Sequence, residues 1–140
     1  WAPKAEQMAV ARYLSQPKFY DAFLKHQKEQ VYVRLQAFYD GIQQLRSEGF
    51  SVDAIAPQAA IYLTVQFALH GKKTADGKIL SNTKEITAYL LNEAHLAIVP
   101  FYAFGASENS NWYRLSVGTC KLSDVAAVIV HLRTALQKLS

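Results

Sequence analysis

Residues Val99 to Gly118 read VPFYAFGASENSNWYRLSVG, and the fold turns on how this stretch is parsed. A short apolar run, Leu96-Ala97-Ile98-Val99, ends at Pro100 and leads into an aromatic loop, Phe101-Tyr102-Ala103-Phe104-Gly105. A polar loop from Ala106 to Asn111 follows, and then a second strand-like run from Trp112 to Val117. Strand alternation puts Tyr113, Leu115 and Val117 on one face and Trp112, Arg114 and Ser116 on the other. Arg114 therefore stands in the middle of an otherwise apolar strand. A buried guanidinium needs a partner, because an isolated charge is costly to desolvate. The nearest acidic residue before it is Glu108, and none follows within seven positions. Two readings stay open at this point: a cation held for a partner, or an edge-strand arginine pointing to water.

Upstream, Ile61, Leu63, Val65, Phe67 and Leu69 alternate with Tyr62, Thr64, Gln66 and Ala68, which predicts a strand opened by Pro57. A polar loop over Lys72 to Leu80 carries an Asp76-Gly77 turn. Asn82 with Glu85 reads as a capping box for a helix to about Ala94, with Ile86, Tyr89, Leu90 and Ala94 on its inner face. Further back, Pro3 suits the first turn of a helix reaching Leu14, and Ser15-Gln16-Pro17 breaks it, with Ser15 as cap for the next. From Lys18 to Arg46 the residues Tyr20, Leu24, Val31, Leu35, Phe38, Ile42 and Leu45 form one apolar stripe at helical spacing. Gly41 within it is tolerable at about 1 kcal/mol, and Gly49 supplies the stop. The chain closes with a helix from Ser123 to Leu139, whose Val125, Ile129, Leu132, Leu136 and Leu139 face inward. This order predicts an α+β fold: a small, mostly antiparallel sheet of three to four strands packed against helices.

At 140 residues the chain has room for one domain, 1–140, with a helical lead-in over 1–48 and the sheet with its helices over 55–140. Hydrophobic residues are 51% and charged residues 19%, a globular balance that argues against disorder. The net charge of +4 comes from scattered lysines, and the loose group Lys72, Lys73 and Lys78 reads as a solvated loop, so no nucleic-acid partner is expected. Cys120 is alone, which fits a reducing cytoplasm. The apolar runs are too short to span a membrane, and none is expected as a partner. His26, His70, His95 and His131 stand apart with no ligand spacing, so no metal site is expected. The chain begins at Trp1 and reads as a piece of something longer.

The Val-Pro-x-x-x-Phe-Gly segment at Val99 to Gly105, followed by Tyr113-Arg114-Leu115-Ser116, resembles the C-terminal end of fold-type I, pyridoxal-phosphate-dependent aminotransferases of the aspartate aminotransferase type, class I/II. Pro57-Gln58-Ala59-Ala60-Ile61-Tyr62 is similar to that family's Pro-x-Gly-small-aromatic-aromatic strand, and Tyr89 to Ala94 resembles its helix leading into the next strand. Ala59 stands where the family usually has glycine, Ile61 where it often has Phe, and Phe101 where Gly commonly follows Val-Pro.

The resemblance implies the small C-terminal domain, with the long helix of the interdomain type. It assigns Arg114 to the substrate α-carboxylate and Ile61 to the wall around the substrate side chain. A planar fork of donors suits that bidentate task, which lysine cannot reproduce. The Schiff-base lysine and the pyridoxal phosphate anchors of this family lie in a larger upstream domain. No catalytic, cofactor-binding or metal residue is thus expected in this chain, which alone should neither bind pyridoxal 5'-phosphate nor catalyse. Ser81-Asn82-Thr83-Lys84 superficially resembles the sequence around the cofactor lysine, yet lacks the Gly and Arg that should follow and reads as a helix's first turn. The partners implied are an amino acid and a 2-oxo acid, the missing large domain, and a second copy in a homodimer. A rival reading, from the residues alone, is a non-catalytic α+β interaction module that binds through the aromatic loop 101–104.

Overall fold

The computed structural model describes residues 2–140; Trp1 lies outside the described residues. Helix α1 runs over Lys4–Leu14. Ser15 closes this helix instead of capping the next: its hydroxyl donates to the Arg12 carbonyl at 2.8 Å. A single 3-10 turn at Pro17–Phe19 follows, and Tyr20 leaves helical geometry, so α2 starts at Asp21 and not at Lys18. Helix α2, Asp21–Ser47, ends where Gly49 takes a left-handed φ of 96° and the Phe50 N–H reaches the Leu45 carbonyl at 3.2 Å.

The apolar stripe of α2 is buried only in its C-terminal half, at Leu35, Phe38, Ile42 and Leu45. Leu24 is exposed and Tyr20 and Val31 are half-buried, because the sheet and the last helix reach only the later turns. Gly41 lies on that packed half. A β-carbon there would sit 2.6 Å from Ile129 Cγ1 and 2.7 Å from Cδ1. The glycine is thus a point of close helix approach and not a tolerated irregularity.

Four strands form one antiparallel sheet in the order β1-β2-β4-β3: β1 Val52–Ala54, β2 Tyr62–Phe67, β3 Val99–Pro100 and β4 Trp112–Ser116. β1 escapes a periodicity search because it is three residues long. Its central Asp53 is held at 2.9 Å by both Gln43 and Arg46 of α2. β2 stops at Phe67, short of the alternation that continues to Leu69, although the Ala68 N–H still donates to the Ser51 carbonyl beyond the last β1–β2 pair. One sheet face, with Leu63, Val65, Phe67, Tyr113 and Leu115, is buried. The other, with Tyr62, Thr64, Gln66, Trp112, Arg114 and Ser116, is half-buried to exposed.

Helix α3, Thr83–Ala94, opens as expected, with the Asn82 side chain accepting from the Glu85 N–H at 3.0 Å. The returning arm is shifted by one residue, for the Glu85 carboxylate takes the Ser81 N–H and not that of Asn82. Ile86, Leu90 and Ala94 are buried; Tyr89 is half-buried and donates to the Ala135 carbonyl of helix α4, Leu122–Gln137, at 2.8 Å. In α4, Val125, Ile129, Leu132 and Leu136 join the core, while Leu139 packs half-buried beyond its end. The expected Asp76-Gly77 turn is present, with Gly77 at φ 88° donating to Thr74. The architecture is the expected α+β layer of helices against a small sheet.

Candidate carboxylate-binding site

β4 is an interior strand. Arg114 has Thr64 of β2 on one side and Val99 of β3 on the other, so it is not an edge-strand arginine. Its side chain leaves the sheet on the open face, where it is half-buried. Tyr62, opposite Ser116, is its diagonal neighbour, and the guanidinium carbon lies 4.4 Å from the centre of the Tyr62 ring. The centre of the Phe104 ring lies 4.2 Å from the same carbon. Both distances are within cation–π range.

The loop between the strands explains how Phe104 gets there. After Pro100 the chain makes a 3-10 turn, Phe101–Phe104, which ends at Gly105 with φ 89° and a Gly105 N–H to Tyr102 carbonyl bond of 3.0 Å. The left-handed residue turns the chain back over β4 at no steric cost for glycine. Phe101 meets Phe104 edge to face, with centroids 6.4 Å apart at 82°. The remainder of the loop is anchored by the Thr83 hydroxyl, which donates to the Glu108 carbonyl at 2.7 Å.

No carboxylate pairs with Arg114 among the described residues; the ion pairs are Arg46–Asp53, Lys78–Glu85, Arg133–Glu48 and Lys138–Glu93. Glu108, the nearest acid before it in sequence, does not reach it. The guanidinium thus lies within cation–π distance of two rings, while its N–H edge has no acceptor among the described residues. Such an edge fits a carboxylate in the plane of the fork.

Ile61 comes just before β2, is exposed, and lines a mostly apolar groove of about 650 Å³ between α2 and the Pro57–Ile61 segment, with Leu24, Val31 and Leu35. Ala60, next to it, takes a left-handed φ of 62°, a conformation that non-glycine residues rarely adopt. The structure joins Arg114 to Tyr62 and to Phe104 of the aromatic loop 101–104, a pairing that sequence reading did not make. Tyr62 shares the parity of Arg114, but only the register makes them neighbours. The contact of Phe104 with Arg114 depends on the 3-10 turn.

The remaining candidates form no second centre. Among the described residues no three His, Cys, Asp or Glu side chains converge as metal ligands. His95 and His131 do meet edge to face at 5.2 Å, a contact their separation in sequence hides. Cys120 is a free, half-buried thiol whose ionisation burial pushes upward, against the opposing charge of Arg34. Lys84 lies in the first turn of α3, as its sequence suggested. No helix of the described residues is long and apolar enough to cross a membrane. The open sheet face around Arg114 carries no lysine and no acid next to the guanidinium, so these residues do not fit as anchors for a carbonyl cofactor such as pyridoxal phosphate. What they offer is a planar cation whose N–H donors have no acceptor among the described residues.

Comparison with known proteins bears on the same segment. The family described as "Aminotransferase class I and II" is matched over residues 1–132. An aspartate aminotransferase of Rhizobium meliloti is 29% identical over 119 residues, 84% of this chain and 27% of the relative. The crystal structure of the aspartate aminotransferase from that organism superposes with a TM-score of 0.69 over 84% of this chain and 28% of that one. A "Probable aspartate/prephenate aminotransferase" of Rickettsia typhi is 33% identical over 84 residues, 59% of this chain and 20% of the relative. An aromatic aminotransferase structure from Pyrococcus horikoshii, 18% identical, shares the fold with a TM-score of 0.69 over 94% of this chain and 31% of its own. The chain spans only 20% and 27% of the two curated relatives it matches here. With the family matched over nearly its whole length, the chain belongs to the class I and II aminotransferases.

Proposed function

We propose that this chain is the small C-terminal domain of a pyridoxal-phosphate-dependent aminotransferase that moves an amino group between an amino acid and a 2-oxo acid. The observation that carries the reading is the guanidinium of Arg114, within cation–π distance of Tyr62 and Phe104 and without an acceptor among the described residues. In the longer protein Arg114 binds the substrate's α-carboxylate through two parallel N–H donors and so fixes where the α-carbon lies. The half-buried face around it limits water, which strengthens the pairing. The cofactor, when bound, supplies the electron sink; its lysine and phosphate anchors belong to the missing large domain. This chain alone is then without catalysis.

The names of the relatives point to aspartate or prephenate as substrate. Ile61, at the rim of the apolar groove, is proposed as wall for the substrate side chain only through the resemblance. A homodimer rests on the same ground, and a cytoplasmic location rests on the expectation from the sequence alone. Against the interaction-module reading stands the aromatic loop itself: Phe101 and Tyr102 are half-buried, and Phe104 lies on Arg114.

In the full-length enzyme, a panel of amino acids identifies the one with the highest kcat/KM. On that substrate Arg114→Lys is expected to lower kcat/KM by about 2–4 kcal/mol, because a point charge cannot replace the bidentate fork. A variant as active as the parent would remove Arg114 from the site.

A further inference from the structure

We infer that Tyr62, Phe104 and Phe101 are positioning residues that form an aromatic clamp on Arg114 and set its affinity for a carboxylate. The inference rests on the reading of Arg114 given above and adds what holds it. Other arginines of this chain are restrained by oxygen acceptors. Arg34 donates to the Gln30 and Cys120 carbonyls at 3.0 and 2.9 Å, and Arg46 to Asp53 at 2.9 Å. Arg133 makes two parallel bonds to Glu48 at 2.8 and 2.9 Å. In each case the restraint occupies the same N–H groups that a ligand would need.

Arg114 is held differently. The centres of the Tyr62 and Phe104 rings lie 4.4 and 4.2 Å from its guanidinium carbon, and neither contact uses an N–H acceptor. A long side chain loses less freedom on binding when it is already restrained. The ring quadrupoles attract the cation and leave its N–H donors for a ligand.

Tyr62 is set by the sheet, but Phe104 sits on a 3-10 turn and is 54% exposed, so its ring needs support. Phe101 provides it by the edge-to-face contact at 6.4 Å. The clamp is thus a chain of contacts from Phe101 through Phe104 and Arg114 to Tyr62.

The test uses the full-length enzyme and the amino acid it turns over best. Phe104→Leu keeps an apolar side chain at an exposed position and removes the π face. It should raise KM and lower kcat/KM by about 3- to 30-fold, the range of one cation–π contact from exposed to desolvated, with kcat nearly unchanged. Phe104→Tyr should restore the parent value, and Phe101→Gly should reproduce part of the loss. Unfolding midpoints of all three should stay at that of the parent. Placed in an Arg114→Lys background, Phe104→Leu should add nothing further, since the group it orients is gone.

A parent-like KM for Phe104→Leu, alongside a strong loss in Arg114→Lys, would overturn the clamp and leave the carboxylate reading standing. Equal losses from Phe104→Leu in both backgrounds would also overturn it, by showing that the ring acts on something else. An Arg114→Lys enzyme with parent kcat/KM would overturn the carboxylate reading, and the clamp with it.

Discussion

At Gly41 the interior of a helix has no room for a β-carbon, since Ile129 of α4 lies 2.6 Å from where one would stand. Helix propensity alone says that alanine should stabilise α2 there by about 1 kcal/mol. Ile129 is nearly buried and β-branched, so it yields little, and overpacking of this kind costs about 1–3 kcal/mol. Gly41→Ala is therefore expected to lower the denaturant midpoint of unfolding; a raised midpoint would mean that the two helices part easily at this crossing. Sequence pattern could show Gly41 inside a helix but not what crosses it. The same limit applies to Arg114. Its strand, its face and its lack of a nearby acid were all legible, whereas its two aromatic neighbours depend on a strand register and on one 3-10 turn. Ile61 was legible as part of a strand motif, but the strand starts at Tyr62 and leaves Ile61 exposed at the rim of the apolar groove.

Among the elements, α2 departs most from its pattern. Its stripe continues from Tyr20 to Leu45, but Phe23, Leu24, Tyr32 and Val33 are exposed, and burial begins at Leu35. Periodicity reports which side of a helix is apolar and is silent on how far the partner extends. The two halves should respond differently in this chain. Ile42→Ala, which empties a fully buried site, is expected to cost about 2–5 kcal/mol of unfolding free energy. Leu24→Ala, at a 40% exposed site, should stay within about 0.5 kcal/mol. Equal costs would show that the N-terminal half is packed against something. β1 teaches the complementary lesson, because a three-residue strand gives no period and is found only by its pairing with β2.

On the scale of the whole molecule, charge fixes a pH window for stability. The Arg133 hydrogen bonds hold Glu48 below the usual carboxylate range, and the Ser81 N–H together with Lys78 does the same for Glu85. At Asp53 burial pulls upward, but the bonds from Gln43, the Ala54 N–H and Arg46 outweigh it and the net direction is down. A carboxylate with a lowered folded pKa makes the unfolded chain the better proton binder. Its contribution is present above about pH 4–4.5 and is lost as pH falls through the folded values. At the other end Tyr113, buried with its hydroxyl unpartnered, is pushed up to about 12, mainly by desolvation. Its contribution is present below about pH 10, the ordinary tyrosine value, and is lost as pH rises toward the folded value. Unfolding midpoints should thus be flat from about pH 5 to 9 and fall on both sides. Glu48→Gln should soften the acid limb and Tyr113→Phe the alkaline one; unchanged limbs would assign the pH response to other groups. The α+β order and most of the core were readable from periodicity, since each buried face follows a local repeat. The open face was not, because it is defined by what fails to cover it. One further property follows from the length of α2, whose 27 residues span about 40 Å as one rod, half seated against the sheet and half free. Such a rod is a lever. A tilt of about three degrees about its seated half carries the tip of the other arm, about 20 Å away, through about an ångström.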